Sequence, residues 1–465
     1  MLTRPGPVLR DGTPVADLIN ENKREVSLRV MNDRELYELE MEKIFSKTWL
    51  MIGHESEIPK SGDFVTRELG DDPVIVARGR DGNVYVSLNV CPHRGMRVAL
   101  TDCGNAQVHR CIYHGWAFRP TGDFIGAPIE RETMHGTSHE KTELGLKKAR
   151  VHTYGGLIFA TWNIEGPSFD EYLGDMKWYL DTLFCRTDSG LELLGPPQRM
   201  IIDANWKTAG EQSASDGFHT LTLHRSLLEI GSLGASSDSI YENAPAMYGY
   251  DISSPQGHSL RCLPVETTFK MVAGSDIGNM TVDQRIEALP PPGIMPDMIP
   301  QLRKHLTEGQ INVLATAPPL VGGMFPNIGI LWLYAPQADG TMGAALGLHT
   351  FIPRSHDHFE YLTWVFAEKD APADVKKKMM AATVQLIGIS GTIEQDDADT
   401  WPHLTRNARG PQGRTQTLKY GATLEDKRPV DWPGPAGAYV YDGFTKDDTQ
   451  WNWWLSYREL MTAGS

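Results

Sequence analysis

The chain has 465 residues, with 59 acidic against 44 basic side chains and a formal net charge of -15 at pH 7. That length exceeds one compact core and calls for two domains, in series or with one inserted in the other. The acid excess excludes a broad nucleic-acid surface, which needs clustered Lys and Arg.

Met1–Asn20 mixes Arg, Pro, Asp and Gly, and no run of about twenty apolar residues exists, so no signal peptide or membrane span is expected and the protein reads as cytoplasmic. In Asp33–Trp49, Leu36, Leu39, Ile44 and Phe45 recur at helical spacing. From Asp63 to Trp162 short Val/Ile/Tyr-rich runs alternate with turn residues, as in Val74–Ala77, Arg80-Asp81-Gly82-Asn83 and Val84–Val90, which predicts a compact all-β domain. Beyond Gly166 the pattern is mixed, with helices expected over Phe169–Leu183, Glu211–Glu229 and Asp374–Ile389 and strands between them. Met271–Pro300 lacks periodicity and is expected to form a long loop or lid.

Five cysteines at irregular spacing make a poor disulfide framework and suit a reducing compartment. Two of them sit in paired motifs, Cys91-Pro92-His93-Arg94-Gly95 and Cys111-Ile112-Tyr113-His114-Gly115-Trp116. Two thiolates and two imidazoles suit one tetrahedral zinc or a Rieske [2Fe-2S] cluster. Each loop carries one Cys and one His, and the cluster explains this better: two loops approaching from opposite sides each give one ligand to each iron. Gly95 and Gly115 let backbone come close to the sulfides. Cys103, Cys185 and Cys262 lack such partners and read as small apolar residues.

A second constellation runs from Asn205-Trp206-Lys207 through Glu211, Gln212 and Asp216 to His219 and His224. Five residues turn an ideal helix by about 140°, so both His can reach one metal only through a π-bulge or a distortion near a helix end. Asp216, three residues before His219, shares its helix face and is placed to orient the imidazole. The third ligand of a two-His-one-carboxylate iron site is expected from Glu394-Gln395-Asp396-Asp397-Ala398-Asp399. That cluster ends a helix pattern, where carboxylates oppose the dipole.

Together with Met324-Phe325-Pro326-Asn327, these motifs resemble the α subunits of the ring-hydroxylating dioxygenases, the naphthalene, biphenyl and phthalate type, over nearly the whole chain. The resemblance implies an α+β fold: an all-β Rieske domain over residues 46–165 and a catalytic domain with an antiparallel β-sheet flanked by helices over 166–465, with residues 1–45 packing on the latter. It implies that Cys91 and Cys111 bind one cluster iron and His93 and His114 the other. His219, His224 and Asp397 would hold a mononuclear Fe(II), and Asp216 would link His219 to His114 of the partner subunit. It further implies a homotrimer, α3 or α3β3 with a small β subunit, and electrons from NADH through a flavin reductase and a ferredoxin. No G-x-G-x-x-G between a strand and a helix is found, so NADH oxidation is assigned to a partner.

Gln212, Ile387 and Ile393 align with pocket positions, Gln212 standing where several relatives carry Asn; core packing serves the two isoleucines equally well. The expected product is an arene cis-dihydrodiol, against monohydroxylation or demethylation of an aromatic carboxylate by the same sites. A Rieske electron carrier would leave about three hundred residues unexplained, and a zinc-stapled binding protein is the remaining alternative. No Arg is convincingly placed for a carboxylate, Arg225 beside His224 being the nearest in sequence.

Overall fold

The computed structural model describes residues 6–128, 139–229, 249–273, 277–336, 342–443 and 446–463. The chain divides into two compact units, Ile44–Phe169 and a larger one formed by Met1–Lys43 with Asp170–Ser465.

Ile44–Phe169 is built of antiparallel strands. Asp72–Arg78 lies between Val84–Leu88 and Asp63–Leu69, with Cys103–Asn105 at the edge. Its Val74-Ile75-Val76-Ala77 run is buried throughout, as a strand covered on both faces requires. A second small sheet orders Phe124–Gly126, Ala117–Phe118 and His109–Arg110, and a third Arg150–Tyr154, Leu157–Thr161 and Leu50–His54. Phe64, Ile75, Trp116, Phe118 and Phe124 form one apolar cluster that includes Cys91 and Cys111.

The larger unit centres on a nine-stranded antiparallel sheet. In order it runs Leu191–Leu193, His358–Glu368, Met342–Ser355, Ile328–Pro336, Pro319–Met324, Ser259–Cys262, Tyr250–Ser253 and Tyr439–Asp442, and Gln198–Ile202 also pairs with His358–Glu368. The helix Ala373–Ile387 packs on the strand Met342–Ser355. The C-terminal helix Asp448–Thr462 buries Trp451, Trp453, Trp454 and Tyr457. Glu25–Ser27, near the N-terminus, pairs with Thr417–Lys419.

The Asn-Trp-Lys motif opens the helix Trp206–Gln212, and Asn205 caps it by accepting from the Lys207 N–H at 3.1 Å. Lys207 Nζ then reaches Glu40 Oε1 at 2.6 Å, while Trp206 Nε1 and Tyr457 OH donate to the same carboxylate at 2.8 and 2.6 Å. Glu40 and Lys207 are 0% and 1% exposed at the side chain, so the pair survives only because each polar atom is met. This network ties the N-terminal segment and the C-terminal helix to the element that leads into the site.

Four expectations change. Phe169–Leu183 is two helices, Phe169–Leu173 and Met176–Phe184, parted at Gly174 with φ +52°. Glu211–Glu229 is not one helix: Trp206–Gln212 ends, Ser215 turns with φ +68°, and two short helices follow, Phe218–Thr222 and Arg225–Glu229. Met271–Pro300, expected as a loop or lid, holds the helix Val282–Ala288, started by a Thr281–Gln284 capping box, and the beginning of Ile299–His305; residues 274–276 lie outside the described ones. The acidic cluster does not close a helix. Residues 388–393 break the chain after Ile387, and Glu394–Asn407 starts a new helix whose first turn carries Glu394, Asp396 and Asp397, where the dipole favours carboxylates.

Candidate active site

The two Cys/His loops are near copies. In the first, the Cys91 N–H donates to Met96 O at 2.8 Å and the Gly95 N–H to Cys91 O at 2.9 Å; in the second, Cys111 and Gly115 make the corresponding bonds, to Trp116 O and Cys111 O, at the same two distances. Both turns close through a glycine at positive φ, +75° and +74°. Cys91 and Cys111 are free thiols, each 2% exposed, while the rings of His93 and His114 sit 4.5 Å apart, partly exposed. His93 stacks on Trp116 at 5.0 Å. Burial, and the neighbouring Cys111, push the Cys91 thiol up to about 11. Two buried thiols beside two imidazoles are a donor set that fits the two irons of a Rieske cluster, whose charge would stabilise the thiolates.

In the larger unit, the chain break after Gln212 sets the direction of the next side chains. Asp216 Oδ1 accepts from the backbone N–H groups of Phe218 (3.1 Å) and His219 (3.3 Å), starting the short helix, and its Oδ2 lies 3.3 Å from His219 Nδ1. The helix stops at Thr222, and His224 occupies the turn before Arg225. One nitrogen of His219, one of His224 and one oxygen of Asp397 thereby lie within 4.8 Å of one another. His224 Nε2 and His219 Nε2 face Asp397 Oδ1 at 3.5 and 3.9 Å, too long for strong hydrogen bonds. His224 Nε2 and Asp397 Oδ1 are buried with no hydrogen-bond partner. Orphaned donors converging on one point fit a shared cation, and two imidazoles with one carboxylate are a non-haem Fe(II) set.

The surroundings fix these groups. Asp396 Oδ2 lies 3.2 Å from His224 Nδ1, which leaves Nε2 for the metal. Burial works against the charged form of His224, but Asp397 and Asp396 outweigh it and raise its pKa, so a proton and a metal compete for this nitrogen. Trp401 Nε1 donates to Gln212 Oε1 at 2.8 Å, which turns the Gln212 amide nitrogen towards His219 Nε2 at 3.4 Å. Burial pushes the Asp216 carboxyl up, yet His219 and Arg261 hold it below the usual range.

A cavity of about 220 Å³ opens on the triad, walled by Leu331, Leu333, Ile330, Phe351 and Ile393. Ile393 and Gln212 line it; Ile387 is fully buried behind the wall with Ala345 and Leu386. Sequence reasoning missed three polar wall residues, Tyr361, His349 and Arg261, and named Glu394 only as part of the acidic run. Tyr361 OH donates to Glu394 Oε2 at 2.5 Å and His349 Nε2 lies 3.5 Å from Glu394 Oε1; burial lowers His349 to about 3 and keeps Glu394 protonated well above its usual range. Arg261 also lines the cavity, with Asp251 at 4.0 Å in the adjacent strand, whereas Arg225 is exposed and pairs with Glu229. Only the alternation of Ser259–Cys262 could have hinted at Arg261.

Residues 48–149 match the family described as Rieske [2Fe-2S] domain and residues 169–426 that described as ring hydroxylating alpha subunit (catalytic domain). The biphenyl dioxygenase α subunit of Metapseudomonas furukawaii is 32% identical over 441 residues, 92% of this chain and 89% of the relative. The N,N-dimethyl phenylurea N-demethylase α subunit of Sphingobium sp. (strain YBL2) is also 32% identical, covering 90% and 89%. The naphthalene 1,2-dioxygenase from Rhodococcus sp., solved with indole bound, superposes with a TM-score of 0.84 at 32% identity over 97% of both chains.

Proposed function

The chain belongs to the α subunits of the ring-hydroxylating oxygenases, and from that premise we propose that it converts a neutral arene to a cis-dihydrodiol. Both atoms of dioxygen enter adjacent ring carbons, with two electrons from NADH and two protons completing the product. The observation that carries this reading is the apolar cavity directly over the His219, His224 and Asp397 triangle. When bound there, Fe(II) supplies open positions for dioxygen beside the ring, and the Rieske cluster supplies electrons.

The protein's own groups prepare the site. Leu331, Leu333, Phe351 and Ile393 hold the ring and exclude water. Asp396 and Asp216 orient the two imidazoles from behind, through Nδ1 in both cases. Glu394, whose carboxyl is pushed well up by burial and by Asp397, accepts from Tyr361 and sets a polar group in the wall. Arg261 does not favour a carboxylate substrate, because Asp216, whose carboxyl is held below the usual range, already offsets its charge. The functional assembly is a homotrimer in which Asp216 faces His114 of the partner subunit, reduced by a ferredoxin and a flavin reductase.

The demethylase relative, as similar in sequence as the biphenyl one, favours a second reading, oxidative N-demethylation at the same triad. Incubation of the iron-loaded protein with a surrogate ferredoxin, reductase, NADH and labelled dioxygen separates them. Two labels in a neutral arene are expected; formaldehyde from N-methyl anilides, or turnover confined to aromatic carboxylates, overturns dihydroxylation.

A further inference from the structure

A second cavity lies next to the one over the triad. Its volume is about 330 Å³, and its walls are mainly apolar, with Leu289, Ile294, Met295, Met342 and Met379 among them and Lys378 as the charged residue of the lining. A cavity of ~150 Å³ is already enough to hold a benzene ring. Tyr334 lines both cavities and stands between them.

The sequence makes this room locally. Tyr334 lies on the strand Ile328–Pro336 directly opposite Ala344, and the strand facing it offers Gly343 and Ala344 where larger side chains would fill the space. The far wall is rigid. Arg186 Nη2 donates to Pro292 O at 2.6 Å while its Nε meets Glu368 at 2.8 Å, both side chains 1% exposed, and Thr187 Oγ1 holds the other carboxylate oxygen at 2.6 Å. The proline arm of residues 290–292 is therefore fixed from behind. Tyr334 itself is held across the gap by one hydrogen bond, from its hydroxyl to Pro290 O at 2.6 Å. The Tyr334 side chain is thus a wall common to both cavities, and no other described side chain lines both.

We propose that the outer cavity is a second apolar subsite, which takes the distal ring of an elongated aromatic substrate whose proximal ring lies over the triad, and that Tyr334 is the partition that sets substrate length. This rests on the aromatic-substrate reading above. The shared wall argues for the same occupant: a largely apolar chamber divided from the reacting position by one side chain is reached by the part of the substrate that extends past that side chain.

The experiment uses the holoenzyme, as wild type, Tyr334→Phe, Tyr334→Ala and Tyr334→Ala/Val375→Trp. Val375 lines only the outer cavity, is partly exposed, and touches none of the metal-binding groups. Two readouts are taken for benzene and for para-terphenyl: turnover with ferredoxin and reductase, and terphenyl binding followed by its own fluorescence. Tyr334→Ala is expected to raise kcat/KM for terphenyl relative to benzene by ~tenfold or more, with a parallel gain in terphenyl binding. Tyr334→Phe shifts the ratio less, in the same direction, and adding Val375→Trp returns it to the wild-type value. An unchanged ratio and unchanged terphenyl binding in Tyr334→Ala, or a shift that Val375→Trp does not reverse, overturns the subsite. Terphenyl binding that follows the expected pattern while no variant oxidises any arene upholds the subsite and overturns the arene oxygenase reading.

Discussion

Replacing Asp396 by Asn tests the division of labour between the two adjacent aspartates. Asp396 lies 3.2 Å from His224 Nδ1, and Asp397 faces His224 Nε2 on the other side of the same ring. Asn at position 396 keeps an acceptor for Nδ1–H but removes the charge that makes Nε2 a stronger donor. Loss of such an outer partner costs roughly 10- to 100-fold in metal affinity, about 1.4–2.7 kcal/mol. Asp397→Ala removes a ligand outright, so its iron occupancy falls much further. Both variants are titrated with Fe(II) against a chelator under anaerobic conditions, with the visible absorbance of the Rieske cluster as an internal control that neither change touches. Iron affinity in Asp396→Asn equal to wild type refutes the orienting role. Iron loss that is severe in Asp396→Ala and mild in Asp397→Ala reverses the assignment of ligand and support.

Three further outcomes are expected. Lys207→Met leaves Glu40 buried without its cation and costs about 3–5 kcal/mol in chemical denaturation, whereas Glu40→Gln/Lys207→Met recovers most of that loss; a double variant as unstable as the single one removes the charge argument. Glu211, pushed up to about 8 by burial and by Asp216, binds a proton more tightly when folded than at its ordinary 4.5, so its contribution is lost as pH rises from 4.5 to 8. Glu211→Gln keeps a partner for Tyr420 and is expected to match wild type near pH 4.5 and exceed it by up to ~5 kcal/mol above pH 8, the shift taken as an upper bound; a constant difference across that range counts against the shift. Cys111→Ser should abolish the cluster's visible absorbance while leaving Fe(II) binding in the other unit intact, and retained absorbance would remove Cys111 from the ligand set.

The parts legible in the sequence are those whose chemistry is local. Cys91/His93 and Cys111/His114 each sit within one turn, and the glycine that closes each turn is in the same motif, so residue type and spacing determine the geometry. In the larger site the three side chains that come together, His219, His224 and Asp397, were legible, and the walls around them were not. His349, Tyr361 and Glu394 meet across the strands Met342–Ser355 and His358–Glu368 and the helix Glu394–Asn407, and Arg261 reaches the same cavity from a strand nearly ninety residues earlier in the chain. Their burial depends on sheet order, which no short window of sequence encodes. Ile387 and Ile393 show the same limit: they are six residues apart across a break, and only the break decides which one faces the cavity.

The break is also what resolves the two awkward features of the sequence. A five-residue His spacing on one helix sends the rings apart, and a carboxylate pair at a helix end opposes the dipole; both objections assume that the elements continue. Ending the helix at Gln212 frees Asp216 to cap its successor, and the cap that starts Phe218–Thr222 also stands behind His219 Nδ1. Ending the helix at Ile387 lets the acidic run begin the next one. Neighbouring residues on a helix point about 100° apart, so Asp396 and Asp397 cannot both enter the triangle. One faces the centre of the triangle, and the other is left at the flank, where it meets the rear nitrogen of one imidazole, His224 Nδ1. The Asp-Asp pair thus follows from one geometric need: a ligand and its partner's support delivered from a single helical turn.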